Sequence, residues 1–184
     1  MRLFIAVNIP GELKDNIEAV QNDLKRSRAD VKWVEKENFH LTVKFIGDTD
    51  SGTPALLESN LSQSLKDFGS FIVSLCGAGA FPSASYPRVV WIGIGDGAEK
   101  LKQLAAKTED AAFELGFPRE KRGFSPHLTI GRVKSPSNKE FLEKKIILQE
   151  KCSPGSFEVK KVDVMESVLL PQGPEYKCIS SIFI

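Results

Sequence analysis

The tetrapeptide His-Leu-Thr followed by a β-branched residue occurs twice, at 40–43 (HLTV) and 127–130 (HLTI), and it uses both histidines of the 184-residue chain. Given one copy, the chance that the only other histidine begins a second is on the order of one in a thousand from average residue usage. In a strand, successive side chains point to opposite faces. His40 and Thr42 then share one face and Leu41 and Val43 the other. His127 and Thr129 stand in the same way against Leu128 and Ile130. Each strand has an oily face for a core and a face that carries an imidazole beside a hydroxyl. If the two strands meet across a cleft, four polar side chains converge on one point.

Hydrophobic periodicity supplies the frame around these strands. Strands are expected at 2–9, 31–34, 40–46, 70–81, 88–95, 127–133, 156–169 and 176–184. Helices are expected at 11–26, 53–68, 98–115 and 137–150, the last opened by a Ser-x-x-Glu capping box at Ser137 and Glu140. The two motifs lie 87 residues apart, close to half the chain, and no solenoid-length period is visible. The pattern predicts an α+β fold from one duplication: two pseudo-symmetric lobes, each with a mainly antiparallel sheet and helices outside, flanking a central cleft. Residues 1–184 are read as one bilobal domain.

Composition narrows the function. A formal net charge of +1 gives no global field for nucleic acid or anionic membrane. No apolar run is long enough to span a bilayer, and the apolar start "MRLFIAVNIP" is too short for a signal-peptide core. The three cysteines, Cys76, Cys152 and Cys178, are odd in number and far apart, which argues against a disulfide framework or a zinc site. A reducing cytoplasm is the expected compartment. The basic clusters at 25–28, 118–123 and 143–145 read as solvated faces, with a local phosphate surface as the alternative.

The two His-x-Thr faces have a definite competence. Imidazole titrates near neutrality, so one histidine can act as base and the other as acid. Hydroxyls can hold the non-bridging oxygens of a phosphate diester while charge shifts. No metal ligands cluster near either histidine, so neither metal nor cofactor is expected. Lys44 has the parity of His40 and Thr42, which points it to the cleft; a solvated lysine at the strand end is the alternative. Arg132 has the wrong parity for the His127 face. However, Gly131 precedes it, and a glycine in a strand often marks a bulge that re-aims the next side chain.

At these residues the chain resembles the 2H phosphoesterase superfamily, and within it the RNA 2′,3′-cyclic phosphodiesterases, also called 2′-5′ RNA ligases. The stretches "RLFIAVNIP", "VKWVEKENFHLTVKFIGD", "FPSASYPRVVWIGI" and "FSPHLTIGRV" carry the resemblance. It implies a bilobal fold with a V-shaped cleft and hydrolysis of a terminal 2′,3′-cyclic phosphate on RNA to a 2′-phosphomonoester. It also implies, for some relatives, reversible 2′-5′ joining of tRNA halves. By resemblance, His40 is the proton donor and His127 the acceptor, while Thr42, Thr129 and Arg132 bind phosphate. The expected partners are RNA ends, tRNA halves among the candidates, with no membrane and a monomeric chain. Two rivals stand beside this enzyme reading. One is a non-catalytic RNA-end-binding module. The other is a nucleotide site at "GIGDGAEK" (93–100), which lacks the full Gly-x-Gly-x-x-Gly spacing.

Overall fold

The structure is a computed structural model that describes residues 1–170 and 173–184. The described residues form nine strands and four helices. The strands are β1 (Arg2–Asn8), β2 (Val31–Trp33), β3 (His40–Asp48), β4 (Phe71–Pro82), β5 (Pro87–Ile94), β6 (His127–Val133), β7 (Gly155–Val159), β8 (Lys161–Leu170) and β9 (Gly173–Phe183). The helices are α1 (Gly11–Lys25), α2 (Thr53–Leu65), α3 (Ala98–Glu114) and α4 (Lys139–Leu148).

The strands run β7-β4-β5-β6-β3-β1-β8-β9, antiparallel throughout, with β2 added on β6. The order is symmetric about the β6–β3 junction, with four strands on each side. In the sheet, the two halves are joined by one registered residue pair, Leu41 with Leu128. Beyond it β3 leaves β6, and β2 takes over that edge through Val31–Val133, Lys32–Arg132 and Trp33–Gly131. A single pair at the junction lets the two four-strand sets diverge, and the divergence opens the cleft.

The helices cover the opposite face, and each half is roofed partly by the other half's sequence. Helix α1 follows β1 but packs with α4 over β4 and β7. Helix α3 follows β5 but packs with α2 and β3. Apolar spacing sets the buried stripes: Leu13, Ile17 and Leu24 in α1; Leu57, Leu61 and Leu65 in α2; Leu101, Leu104 and Ala105 in α3. The start of α2 is fixed by Asp50, whose Oδ1 accepts bonds from the Gly52 and Thr53 amides and the Thr53 hydroxyl. A carboxylate there also faces the positive end of the helix dipole. Leu41, Leu128 and Ile130 are buried in a core that includes residues of both halves.

Two sequence expectations need correction. The run 156–169 is not one strand: β7 pairs with β4 in one half, and β8 pairs with β1 and β9 in the other. The alternation changes phase at Lys160–Lys161, with Phe157 and Val159 buried before it and Val162 and Val164 after it, and that slip marks where the chain changes halves. The capping box at 137–140 does not form. Helix α4 starts at Lys139 after Asn138, which has φ 54° and no side-chain cap. The Asn138 side-chain amide instead donates to the Arg28 carbonyl at 2.9 Å.

Candidate active site

Both histidines lie on the face away from the helices, one on each side of the Leu41–Leu128 pair. The antiparallel register about that pair sets His40 across from Thr129 and Thr42 across from His127. That register brings the polar side chains of the two motifs to one face of the sheet, next to the junction.

Each imidazole is pinned in the same way. Nδ1 of His40 donates to the Asn38 carbonyl at 2.7 Å, and Nδ1 of His127 donates to the Ser125 carbonyl at 2.7 Å. The carbonyl two residues upstream thus fixes the tautomer, and Nε2 is the atom left for chemistry. Nε2 of His40 accepts a bond from the Thr42 hydroxyl at 3.0 Å. Aromatic rings flank both: Phe4 at 5.0 Å and Tyr176 at 5.2 Å from His40, and Phe81 at 5.0 Å from His127.

Burial depresses the proton affinity of both rings below the ordinary histidine value, because a charged imidazolium loses hydration there. The accepting carbonyls work against this, and the Arg132 guanidinium adds to it at both rings. Lys14, which donates to the Glu37 carbonyl at 2.8 Å, adds to it at His40 alone.

Arg132 comes to the cleft through a bulge. On β5, Val90 pairs with Gly131 and Trp91 with Thr129, so Ile130 is an extra residue. Ile130 and Gly131 are both buried, and the parity then reverses, leaving Arg132 exposed on the histidine face. Arg132 lines a cavity of about 540 Å³ beside Asn38, Trp33 and Tyr176. Gly131 is required for the β2 contact, since a Cβ there would lie 2.7 Å from Val31 and 2.8 Å from Trp33.

Lys44 does not reach the cleft, and it is not a solvated lysine either. Strand β3 carries its own bulge: Ile5 pairs with Lys44 and Ala6 with Thr42, so Val43 is extra. Lys44 turns to the helix face, where its side chain is 1% exposed. There it bonds Glu109 of α3 at 2.7 Å and the Pro118 carbonyl at 3.1 Å. Phe45 takes the cleft-side place, packed 6.4 Å from Phe4.

Sequence reasoning missed the cleft's lining. Phe4, Ala6 and Asn8 of β1 face it, paired with Phe45, Thr42 and His40. Nδ2 of Asn8 donates to the buried Asp163 at 2.7 Å. Burial alone would raise the Asp163 carboxyl, but donors from Lys161, Ser181 and Asn8 hold it low. Parity on β1 could have found this face only once its pairing with β3 was known. Two of the basic clusters are committed elsewhere in part: Lys145 pairs with Asp23 at 2.7 Å and Arg119 with Asp110 at 2.7 Å. The glycines of "GIGDGAEK" form a strand-to-helix turn, where Gly97 has φ 81° and a Cβ would strike the Ile72 carbonyl at 2.2 Å.

Two imidazoles with Nε2 turned to the cleft, two hydroxyls and a guanidinium can hold a phosphate and move protons on both sides of it. Comparison with known proteins points the same way. The model of the 2′-5′ RNA ligase superfamily matches residues 9–168. A Methanothermobacter thermautotrophicus protein named RNA 2′,3′-cyclic phosphodiesterase is 38% identical over 96% of this chain and 95% of its own length. A Methanocaldococcus jannaschii protein of the same name is 38% identical over 97% of this chain and 98% of its own. A solved structure from Thermus thermophilus superposes with a TM-score of 0.81 at 25% identity, covering 100% of this chain and 97% of that one. E. coli LigT complexed with 3′-AMP shares the fold, with a TM-score of 0.80 at 23% identity over 100% of this chain and 97% of that one.

Proposed function

The chain belongs to the 2′-5′ RNA ligase superfamily, and from that membership we propose that it is a phosphodiesterase that opens RNA 2′,3′-cyclic phosphate ends to 2′-phosphomonoesters. The observation that carries the reading is the matched pinning of His40 and His127 about the Leu41–Leu128 pair.

His127 is the general base. Its neutral Nε2 takes a proton from water, and the water oxygen attacks phosphorus opposite the 3′-oxygen. His40 is the general acid. As an imidazolium it gives its Nε2 proton to the departing 3′-oxygen, the P–O3′ bond breaks, and a 2′-phosphate and a free 3′-hydroxyl remain. Thr42, Thr129 and Arg132 donate hydrogen bonds to the non-bridging oxygens. The bound phosphate's negative charge favours the His40 imidazolium, offsetting burial and the two nearby cations. The hydroxyl of Thr42, bonded to His40 in the free protein, is released to the phosphate when His40 is protonated.

The reaction needs no metal in this reading. Among the described residues no three His, Cys, Asp or Glu side chains cluster as ligands, and proton transfer and hydrogen bonding supply the activation. A 5′-hydroxyl in place of water, attacking the cyclic phosphate with the same two histidines in the same proton roles, gives a 2′-5′ linkage. RNA ends such as tRNA halves are the candidate substrates, acted on by a monomer in the cytoplasm. No helix among the described residues is long and apolar enough to cross a membrane.

The test is incubation with an oligonucleotide ending in 2′,3′-cyclic phosphate in excess chelator, with the product's phosphate position read by phosphorus NMR. Full turnover to the 2′-phosphate is expected. A 3′-phosphate product would place the acid by the other oxygen, a requirement for a divalent ion would remove the metal-free mechanism, and no turnover at all would remove the reading.

A further inference from the structure

We propose that the half of the cleft around His127 seats the nucleobase of the terminal nucleotide, stacked flat on Trp91; this rests on the reading of the substrate as a nucleotide. Trp91 pairs with Thr129 across β5 and β6, so its side chain stands on the site's face, next to a phosphate-binding hydroxyl. It also pairs with Gly79 on β4. A Cβ at Gly79 would lie 2.3 Å from Cη2 and 2.4 Å from Cζ2 of the indole, and a Cβ at Gly93 3.2 Å from Cζ3. The ring therefore lies down on glycine backbone. Glycine weakens a strand interior, and its use there marks a close approach that nothing larger allows. The indole Nε1 is shielded and has no hydrogen-bond partner among the described residues, so the polar edge of the ring is unused.

The surroundings suit a base. Phe81 meets Trp91 at 5.2 Å and turns its edge to His127 at 88°. Trp91, Phe81, His127, Ser125, Cys76 and Glu150 line a cavity of about 360 Å³, near the lower end of small-molecule sites. A ribose suffices to link a base there to a phosphate at Thr129 and His127.

On the His40 side the apolar floor is covered, and the cavity of about 540 Å³ there is lined by Tyr176 together with Trp33 and Arg132. Phe4 is 4% exposed and Met165 6%. Tyr176 covers them, edge-on to Phe4 at 72° and to His40 at 90°. Its ring is used in packing the histidine.

Stacking on an aromatic ring is tolerant of sequence and contributes roughly 5- to 140-fold per base. The measurement is kcat/KM on nucleoside 2′,3′-cyclic phosphates against a base-less methyl riboside 2′,3′-cyclic phosphate. The wild type should prefer the nucleoside by a factor in that range. In Trp91→Ala the ratio should fall to near one. Gly79→Ala keeps the tryptophan but drives a methyl into its ring, and the ratio should fall there too. Tyr176→Ala should keep the wild-type ratio. A wild-type ratio of one, a ratio that survives Trp91→Ala, or one lost in Tyr176→Ala overturns the proposal.

If neither compound is turned over, the oligonucleotide assay decides the phosphodiesterase reading, and stacking is still decided by binding. Trp33→Phe leaves Trp91 as the only tryptophan of the two in the chain. Its fluorescence should be quenched by adenosine 2′-monophosphate and not by ribose phosphate. Equal response to both compounds, or none to either, refutes the stack.

Discussion

Strands β3 and β6 begin with the same three residues and part company at the fifth. Each has a bulge at the fourth, Val43 in one and Ile130 in the other, and each bulge reverses the parity beyond it. In β3 this turns Lys44 into the protein and Phe45 out to the cleft. In β6 it turns Gly131 in and Arg132 out. One duplicated backbone irregularity thus carries opposite chemistry in the two halves. The first half ties its lysine to Glu109 on α3 and to the Pro118 carbonyl in the segment that leads to the second motif. The second half keeps the inward position empty so that β2 can pack, and sends a cation to the site. The histidines and threonines are duplicated; the buried ion pair and the outward guanidinium are each supplied once.

The largest expected effect tests the part that the halves share. His40→Ala and His127→Ala should each reduce hydrolysis by roughly 10²–10⁴-fold, the usual worth of a positioned acid or base, with the far-UV circular dichroism spectrum unchanged. The two losses should be of similar size, because both rings have the same carbonyl tether and each handles one proton. Near-wild-type turnover by either variant would remove that histidine from the mechanism and leave its motif a remnant of duplication.

How much of this was legible follows from where each signal lies. The histidines and threonines could be read because alternation is local and the motif recurs. The re-aiming of Arg132 could be read because Gly131 marks the bulge. The same bulge in β3 has no glycine. A lysine, long enough to reach across the interface to a carboxylate on α3, fills the position, and simple parity then sends Lys44 the wrong way. Its partner lies 65 residues further on, beyond any local pattern. The aromatic floors under the site were hidden for a related reason. Strand β1 is apolar on both faces, Phe4 and Ala6 on one and Leu3 and Ile5 on the other, so its sequence does not say which face meets the cleft. Only the pairing of Ala6 with Thr42 decides it.

A middle-sized effect should separate the two inward positions. Glu109→Ala leaves Lys44 buried, with the Pro118 carbonyl as its remaining bond. Stranding one member of a buried ion pair typically costs about 3–5 kcal/mol, to be measured by urea unfolding. Glu109 also accepts the Glu120 amide at 3.2 Å, so the same change loosens the approach to His127. A loss under about 1 kcal/mol, the range of an exposed pair, would mean that the pair is structurally idle, and that the two inward positions differ in sequence without differing in consequence.

The smallest effect concerns the outward positions, where only the second half supplies charge. Burial first, and then Arg132, keep both imidazoles below the ordinary histidine value, while Lys14 acts on His40 alone. A cation disfavours the imidazolium, so removing one raises the proton affinity of every ring it faces. Arg132→Gln should therefore move both limbs of the kcat/KM profile to higher pH. The limbs belong to the coupled pair, with two macroscopic values, and are not assigned to single residues. Loss of a charge-assisted bond to phosphate should also lower the maximum, by about 10- to 150-fold if the bond is worth the usual 1.5–3 kcal/mol. Lys14→Gln should move the profile in the same direction but less, since Lys14 acts on one ring only. Phe45 occupies the place that matches Arg132 and has no charge to remove, so Phe45→Leu should move neither limb. If Arg132→Gln leaves both limbs in place, the guanidinium does not act on the histidines from where the bulge directs it. The difference between the halves would then lie in packing alone.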